Sequence, residues 1–146
     1  MFNDQGIVKL CDFGSSTRAV FHPDDSWSSI QRITLIEEMQ RNTTPMYRAP
    51  EISDEYMNMP VGPQQDIWAL GCVLFYLCYR VHPFEDSAKL RIINAKYTIP
   101  ADDTTYTMFI PLIRLFSEKY RQSVFRVLPT AKSNGSPNDS RSCGED

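Results

Sequence analysis

Long hydrophobic runs are missing from this chain. The longest near-continuous apolar stretch, Ile67 to Tyr79, is 13 residues, short of the ~20 a helix needs to cross a bilayer. No basic segment followed by an apolar one stands after Met1, so a secretory leader is not expected. Surplus positive charge is missing too. The formal net charge is −3 and the pI about 5.4. That argues against a sequence-independent grip on nucleic acid, which runs on clustered Lys and Arg neutralising phosphates. Cysteines are few: Cys11, Cys72, Cys78 and Cys143 lack the paired spacing of a metal site, and two of them fall in one apolar run, where they read as small buried hydrophobes. Reduced thiols and a cytoplasmic setting are the expectation. What is present is core material: 42% of the residues are hydrophobic, with eight Phe, seven Tyr and two Trp, enough for one folded domain at most.

Asn3-Asp4-Gln5-Gly6 is a turn sequence, and Ile7 to Cys11 after it is rich in β-branched residues. Together they predict the second strand of a hairpin whose first strand is reduced to Met1 and Phe2. Residues 15 to 48 form a 34-residue polar stretch, too long for a plain connector and therefore expected to be functional or disordered. Within it, the spacing of Ile30, Ile33, Leu35, Ile36 and Met39 predicts a short amphipathic helix before Arg41. Pro50 suits the first turn of another short helix reaching about Tyr56, and Pro60 to Pro63 breaks the chain. Pro63 at a first helical position, apolar residues on all faces from Ile67 to Tyr79, and Pro83 as a stop predict a buried helix over 63–80. A further helix is predicted from Asp86-Ser87 through about Ala95, with acidic residues in its first turn. Leu112, Leu115, Phe116, Tyr120, Val124 and Leu128 recur at three- and four-residue intervals and predict an amphipathic helix over 111–128. Residues 129–146 hold no aromatic and are expected to be a disordered tail, since they cannot bury enough surface to offset ordering entropy.

Three short words stand in order along this scaffold. Asp12-Phe13-Gly14 follows the predicted strand, Ala49-Pro50-Glu51 closes the polar stretch, and Asp66-Ile67-Trp68-Ala69-Leu70-Gly71 opens the buried helix. A lone Asp-Phe-Gly is three common residues. Followed by a long polar loop that ends in Thr43-Thr44-Pro45-Met46-Tyr47-Arg48-Ala49-Pro50-Glu51, it has the shape of a protein kinase activation segment. A carboxylate at a strand end can hold magnesium against the β- and γ-phosphate oxygens of a nucleotide. By motif Asp12 is that carboxylate and the metal ligand. Phe13 is the packing residue whose position sets an active or inactive arrangement, and Gly14 lends the backbone freedom such a switch requires. Cys11, next to Asp12, reads either as a thiol bordering the nucleotide in an assembled kinase or as a plain strand cysteine. Thr44 and Tyr47 are expected to shape a substrate groove. Trp68 reads as core packing. The hydroxyls of Ser28, Ser29, Thr34, Thr43 and Thr44 are positions where phosphorylation could order the segment by adding charge for a nearby Arg.

The runs Lys9 to Ser15, Arg41 to Arg48, Gln65 to Cys72 and His82-Pro83-Phe84-Glu85-Asp86 resemble the Numb-associated kinase family of serine/threonine protein kinases, over about residues 3 to 116. The resemblance implies a mainly α fold: the C-terminal lobe of a protein kinase-like domain over 1–128, truncated, with the hairpin as a remnant at its start. It implies structural roles for Glu51, paired with an Arg of a late helix, and for Asp66, capping the long helix and accepting hydrogen bonds from a catalytic loop. It also implies ATP and Mg2+ as cofactors of the complete enzyme, protein substrates of the clathrin adaptor class, and a place in the cytoplasm, around clathrin-coated vesicles or the perinuclear region.

Two features depart from the family pattern. Only eleven residues precede Asp12, too few for a Gly-rich loop, a strand lysine and a catalytic loop. The chain by itself is therefore expected to hold no catalytic base, to bind no cofactor tightly and to be inactive. After Phe116, the residues Ser117 to Ser123 do not match the family's Asn-Pro turn, which leaves Arg121 or Arg126 as substitutes for the partner of Glu51. A different class of function, a non-catalytic interaction module, is the alternative reading. With no neighbour to cover the helix over 63–80, a marginally stable fold is expected.

Overall fold

In the computed structural model, which describes residues 1, 3–54, 56, 58–85, 88–101 and 104–116, the polar stretch after Gly14 is organised around helix α1 (Ser29–Arg41). Its start is a capping box. The Ser28 hydroxyl accepts from the Gln31 backbone N–H at 3.3 Å, and the Gln31 side chain accepts from the Ser28 N–H at 2.9 Å, satisfying two donors that a helix N-terminus otherwise leaves open. The buried side of α1 is Arg32, Leu35, Ile36 and Met39. Ile30 and Ile33, which the apolar spacing placed on the inner face, are exposed. Arg32 takes the inner position because its guanidinium finds partners there, the Asp24 carbonyl and the Asn58 side-chain oxygen. Asn58 in turn donates to the Asp25 carboxylate at 2.7 Å.

The hairpin at the chain start is present in minimal form. Met1 and Lys9 exchange two backbone hydrogen bonds, at 3.0 and 2.8 Å. The Asn3 side chain accepts from the N–H groups of Gln5 and Ile7, and Gly6 takes the positive φ, +73°, that closes the turn. Among the described residues the β structure amounts to single bridges, one of them between Phe21 and Val61, and the fold is mainly helical.

Helix α2 (Pro50–Ser53) is shorter than its predicted reach to Tyr56. Asp54 turns extended, and its carboxylate accepts from the Tyr56 N–H at 3.0 Å, an Asx turn that competes with a further helical turn. Helix α3 (Gln64–Tyr79) begins one residue after Pro63, which stands at its N-cap, and ends at Arg80 in a left-handed conformation. Pro63 makes no side-chain capping bond, and Asp66 lies in the first turn, at the positive end of the helix dipole. Helix α4 (Lys89–Ile93) has no acid in its first turn. The acids predicted there include Asp86, which lies outside the described residues with Ser87. Residues 110–116 are helical, and the rest of the helix predicted over 111–128, with the tail 129–146, lies outside the described residues.

Packing gathers these elements around α3 and α2. Trp68, Cys72, Phe84, Ile92 and Ala49 form one cluster, Leu35, Met39, Ile52 and Val61 a second, and Phe75, Cys78 and Ile113 a third. Helix α2 packs against both α1 and α4. Among the described residues the packing falls mainly on one side of α3. Trp68, Gly71, Cys72, Phe75 and Cys78 are buried, while Ile67, Leu70, Val73, Tyr76 and Leu77 stay exposed. The apolar run therefore does not mean burial on all faces: at 100° per residue the two sets lie on opposite sides of the helix. Among the described residues no helix is long and apolar enough to cross a membrane.

Candidate functional site

The segment 43–49 presents side chains in two directions. Thr44 stands at the N-cap and Tyr47 at the end of a 3₁₀ turn (Pro45–Tyr47) that packs on α3. With Thr43, Ala49, Ile52, Gln65, Asp66 and Ala69 they line an open cavity of about 210 Å³. The structure thus brings Thr44, Tyr47 and Asp66 to one groove, with hydroxyls, an amide and a carboxylate around an apolar floor. Asp66 serves as groove lining at the head of α3.

Away from the groove, the same segment grips α1. Arg48 donates from Nη2 to the Gln40 carbonyl at 2.8 Å and to the Thr43 carbonyl at 3.2 Å, and from Nε to the Thr43 hydroxyl oxygen at 3.2 Å. The Thr43 hydroxyl donates to the Met39 carbonyl at 2.7 Å, and Asn42 donates to the Glu38 carbonyl. The carbonyls that the last turn of a helix leaves open are here satisfied in succession, with a cation at the negative end of the dipole. Sequence reading missed Arg48 because its partners lie on the helix that the chain has just left.

Tyr47 is backed by His82, whose ring meets it edge-on at 4.6 Å. His82 is buried. Its Nδ1 accepts from the Phe84 N–H at 3.1 Å, and its Nε2 has no hydrogen-bond partner among the described residues. Burial pushes the imidazole pKa below its ordinary 6.5, with the Glu85 charge acting the other way. The unfolded chain thus takes up a proton near pH 6.5 that the fold resists, so stability is complete above that pH and falls as pH drops through it toward the folded value. Asp24, whose carboxyl is held low first by hydrogen bonds from Ser26, acts in a separate window near and below 3.8. The melting temperature is therefore expected to fall between about pH 7.5 and about pH 5.5, and to fall less in His82→Asn. Equal pH sensitivity of the two proteins would contradict the assignment.

The cluster Cys11, Asp12, Phe13 and Gly14 does not line the groove. Cys11, Asp12 and Phe13 are exposed. Asp12 has φ +65°, so the left-handed conformation falls on the carboxylate-bearing residue and not on Gly14. Asp is among the few non-glycine residues that adopt this conformation readily. The chain then turns on Ser16, whose N–H and hydroxyl both donate to the Phe13 carbonyl, at 3.1 and 2.7 Å. The Asp12 carboxylate is an exposed, hard oxygen pair. That suits a magnesium ion, which takes one or two protein carboxylates and completes its shell with water and phosphate oxygens.

Glu51 is buried on the other side of α2. It shares a narrow cleft with Arg32, Asp54 and Asn58. Arg121 and Arg126, its predicted partners, lie outside the described residues. Trp68 is core, stacked on Phe84 with ring centroids 5.3 Å apart and planes 11° from parallel. Ser28 is the N-cap of α1, Thr43 the hydroxyl gripped by Arg48, and Cys72 a buried thiol whose pKa burial pushes up to about 12.

Comparison with known proteins bears on this arrangement. The profile of the protein kinase domain matches residues 1–132. A probable serine/threonine-protein kinase of Dictyostelium discoideum is 43% identical over 112 residues, covering 77% of this chain and 10% of the relative. Actin-regulating kinase PRK1 of Saccharomyces cerevisiae is 34% identical over 116 residues, 79% of this chain and 14% of the relative. Actin-regulating kinase 1 of the same yeast is 34% identical over 124 residues, 82% and 19%. The chain thus spans between a tenth and a fifth of the length of these relatives.

Proposed function

Since the chain belongs to the protein kinase domain family, we propose that it is the activation-segment and peptide-docking part of a serine/threonine kinase. The observation that carries this reading is the groove in which Thr44, Tyr47 and Asp66 meet. A peptide bearing an acceptor hydroxyl would lie along Thr44 and Tyr47, with Tyr47 supported from behind by His82. Asp12 would hold Mg2+, which with ATP supplies the electrophilic phosphoryl group and neutralises the charge developing on it. Its carboxylate would be the ligand this chain contributes to that ion, just before the turn that Ser16 closes on the Phe13 carbonyl. No residue of this chain is assigned the role of base.

The finer reading follows the motif words. On their resemblance we propose that the chain is akin to the Numb-associated kinases, and specifically to cyclin-G-associated kinase, with clathrin adaptor subunits in the cytoplasm and at clathrin-coated vesicles as the acceptor class. The test is phosphoryl transfer from ATP·Mg2+ by the longest gene product that contains this chain, offered a clathrin adaptor subunit and, separately, casein. Transfer to Ser or Thr with kcat/KM about tenfold or more in favour of the adaptor supports the reading. Transfer to casein alone would overturn the adaptor class, and no transfer would overturn the kinase reading.

A second reading, a non-catalytic interaction module, is favoured by the exposed apolar side of α3, where Leu70 is 55% and Leu77 55% accessible. Such a face requires cover in solution. Stable, monodisperse behaviour of the 146-residue chain only in the presence of a binding protein would favour this second reading.

A further inference from the structure

The groove and helix α1 are joined by one side chain. Arg48 stands between Tyr47 and Ala49, both in the groove wall, yet its guanidinium points at the end of α1 and contacts Gln40 and Thr43 there. Thr43 belongs to both: it lines the cavity, and its hydroxyl donates to Met39 of α1. Met39 is buried against the cluster that includes Ile52 and Val61. At its other end α1 is held by Arg32 to the Asp24 carbonyl and Asn58. The helix is thus strapped near both ends by arginines, and the strap at its C-terminal end is built into the groove wall.

We infer that Arg48 is a positioning residue: through Thr43 it couples the docked state of α1 to the shape of the peptide groove, so that the groove is formed only while α1 is seated. The inference rests on the proposed kinase reading for its consequence in catalysis, though the coupling itself is a property of this chain. A planar guanidinium suits the task. It reaches a helix carbonyl, a loop carbonyl and a hydroxyl at once from a fixed fork, whereas a lysine ammonium on its flexible stem cannot hold all three in one plane. Freed of Arg48, the last turn of α1 loses the partner of Gln40, and Thr43 loses a donor to its hydroxyl oxygen and another to its carbonyl. Thr44 and Tyr47 then lose the wall that fixes them.

The test has two arms. In the first, amide hydrogen exchange is followed in the full 146-residue chain and in Arg48→Ala, Arg48→Lys and Thr43→Val. Exchange over residues 38–47 is expected to speed up about tenfold or more in Arg48→Ala and Thr43→Val, with partial recovery in Arg48→Lys and no change over α3. In the second, the longest gene product phosphorylates casein with ATP·Mg2+. Arg48→Ala is expected to raise KM for casein about tenfold while leaving KM for ATP within about twofold, a split that general destabilisation does not produce. Unchanged exchange over 38–47 in Arg48→Ala overturns the coupling, as does an equal rise in both KM values. If the wild-type product transfers no phosphate, the kinase reading falls, and the exchange arm alone decides the coupling.

Discussion

Trp68→Ala is expected to remove about 3–5 kcal/mol of stability, as large-to-small changes at fully packed aromatic sites do. Native domains hold only ~5–15 kcal/mol in all, so this one change takes a large share. Trp68 is 3% exposed and stacks on Phe84, and its cluster joins α3 to Ala49 beside the groove and to Ile92 of α4. Removing the indole opens a void on three elements at once, and none can close it without moving the others. The comparison that sharpens the prediction is Leu70→Ala, two positions along the same helix but on the exposed side, where the loss is expected to stay below about 1 kcal/mol. Urea unfolding of the two variants checks it. Equal midpoints would mean that the two sides of α3 are buried alike.

Gly71→Val is expected to be the next most damaging. A Cβ at this position would stand 2.9 Å from the Phe116 Cβ and 3.0 Å from its Cγ, closer than packed carbon atoms tolerate. Those atoms lie next to the backbone of the helical segment 110–116, so relief requires moving that segment away from α3. Overpacking of this kind costs ~1–3 kcal/mol, and the few tenths of a kcal/mol that Val gains over Gly in helix propensity do not offset it. A melting temperature lowered by several degrees is expected. An unchanged or raised value would show that 110–116 does not pack where Phe116 places it.

How much of this was legible in the sequence depended on whether a residue's partners were near it in the chain. The existence of α1 followed from apolar spacing, yet the inner face did not. Ile30 and Ile33 were as apolar as Leu35 and Met39, and what turned Arg32 inward was a carbonyl of Asp24 and the amide of Asn58, which lies 26 residues away. That Thr44 and Tyr47 share one cavity was expected from the motif words, whereas Asp66, read as a structural residue of the long helix, was not expected in its lining. Arg48 sat inside one of those words and still went unread, since a motif names positions and not the helix end they grip. For α3, an unbroken apolar run could not say that one side alone finds cover among the described residues. Its boundaries were closer, because Pro63 and Pro83 punctuate the chain locally. The left-handed backbone at Asp12 had no sequence signal beyond the tolerance of Asp for that conformation.

The proposed function requires the Asp12 carboxylate to hold magnesium beside a peptide groove. It is tested most directly by comparing phosphoryl transfer from ATP·Mg2+ by the longest gene product carrying this chain with that of its Asp12→Asn variant, which keeps the shape of the side chain and removes its charge. A loss of about 100-fold or more in kcat is expected, on the scale that removing one preorganised electrostatic contact costs, with the melting temperature of the protein unchanged. Transfer at the wild-type rate by Asp12→Asn would contradict it.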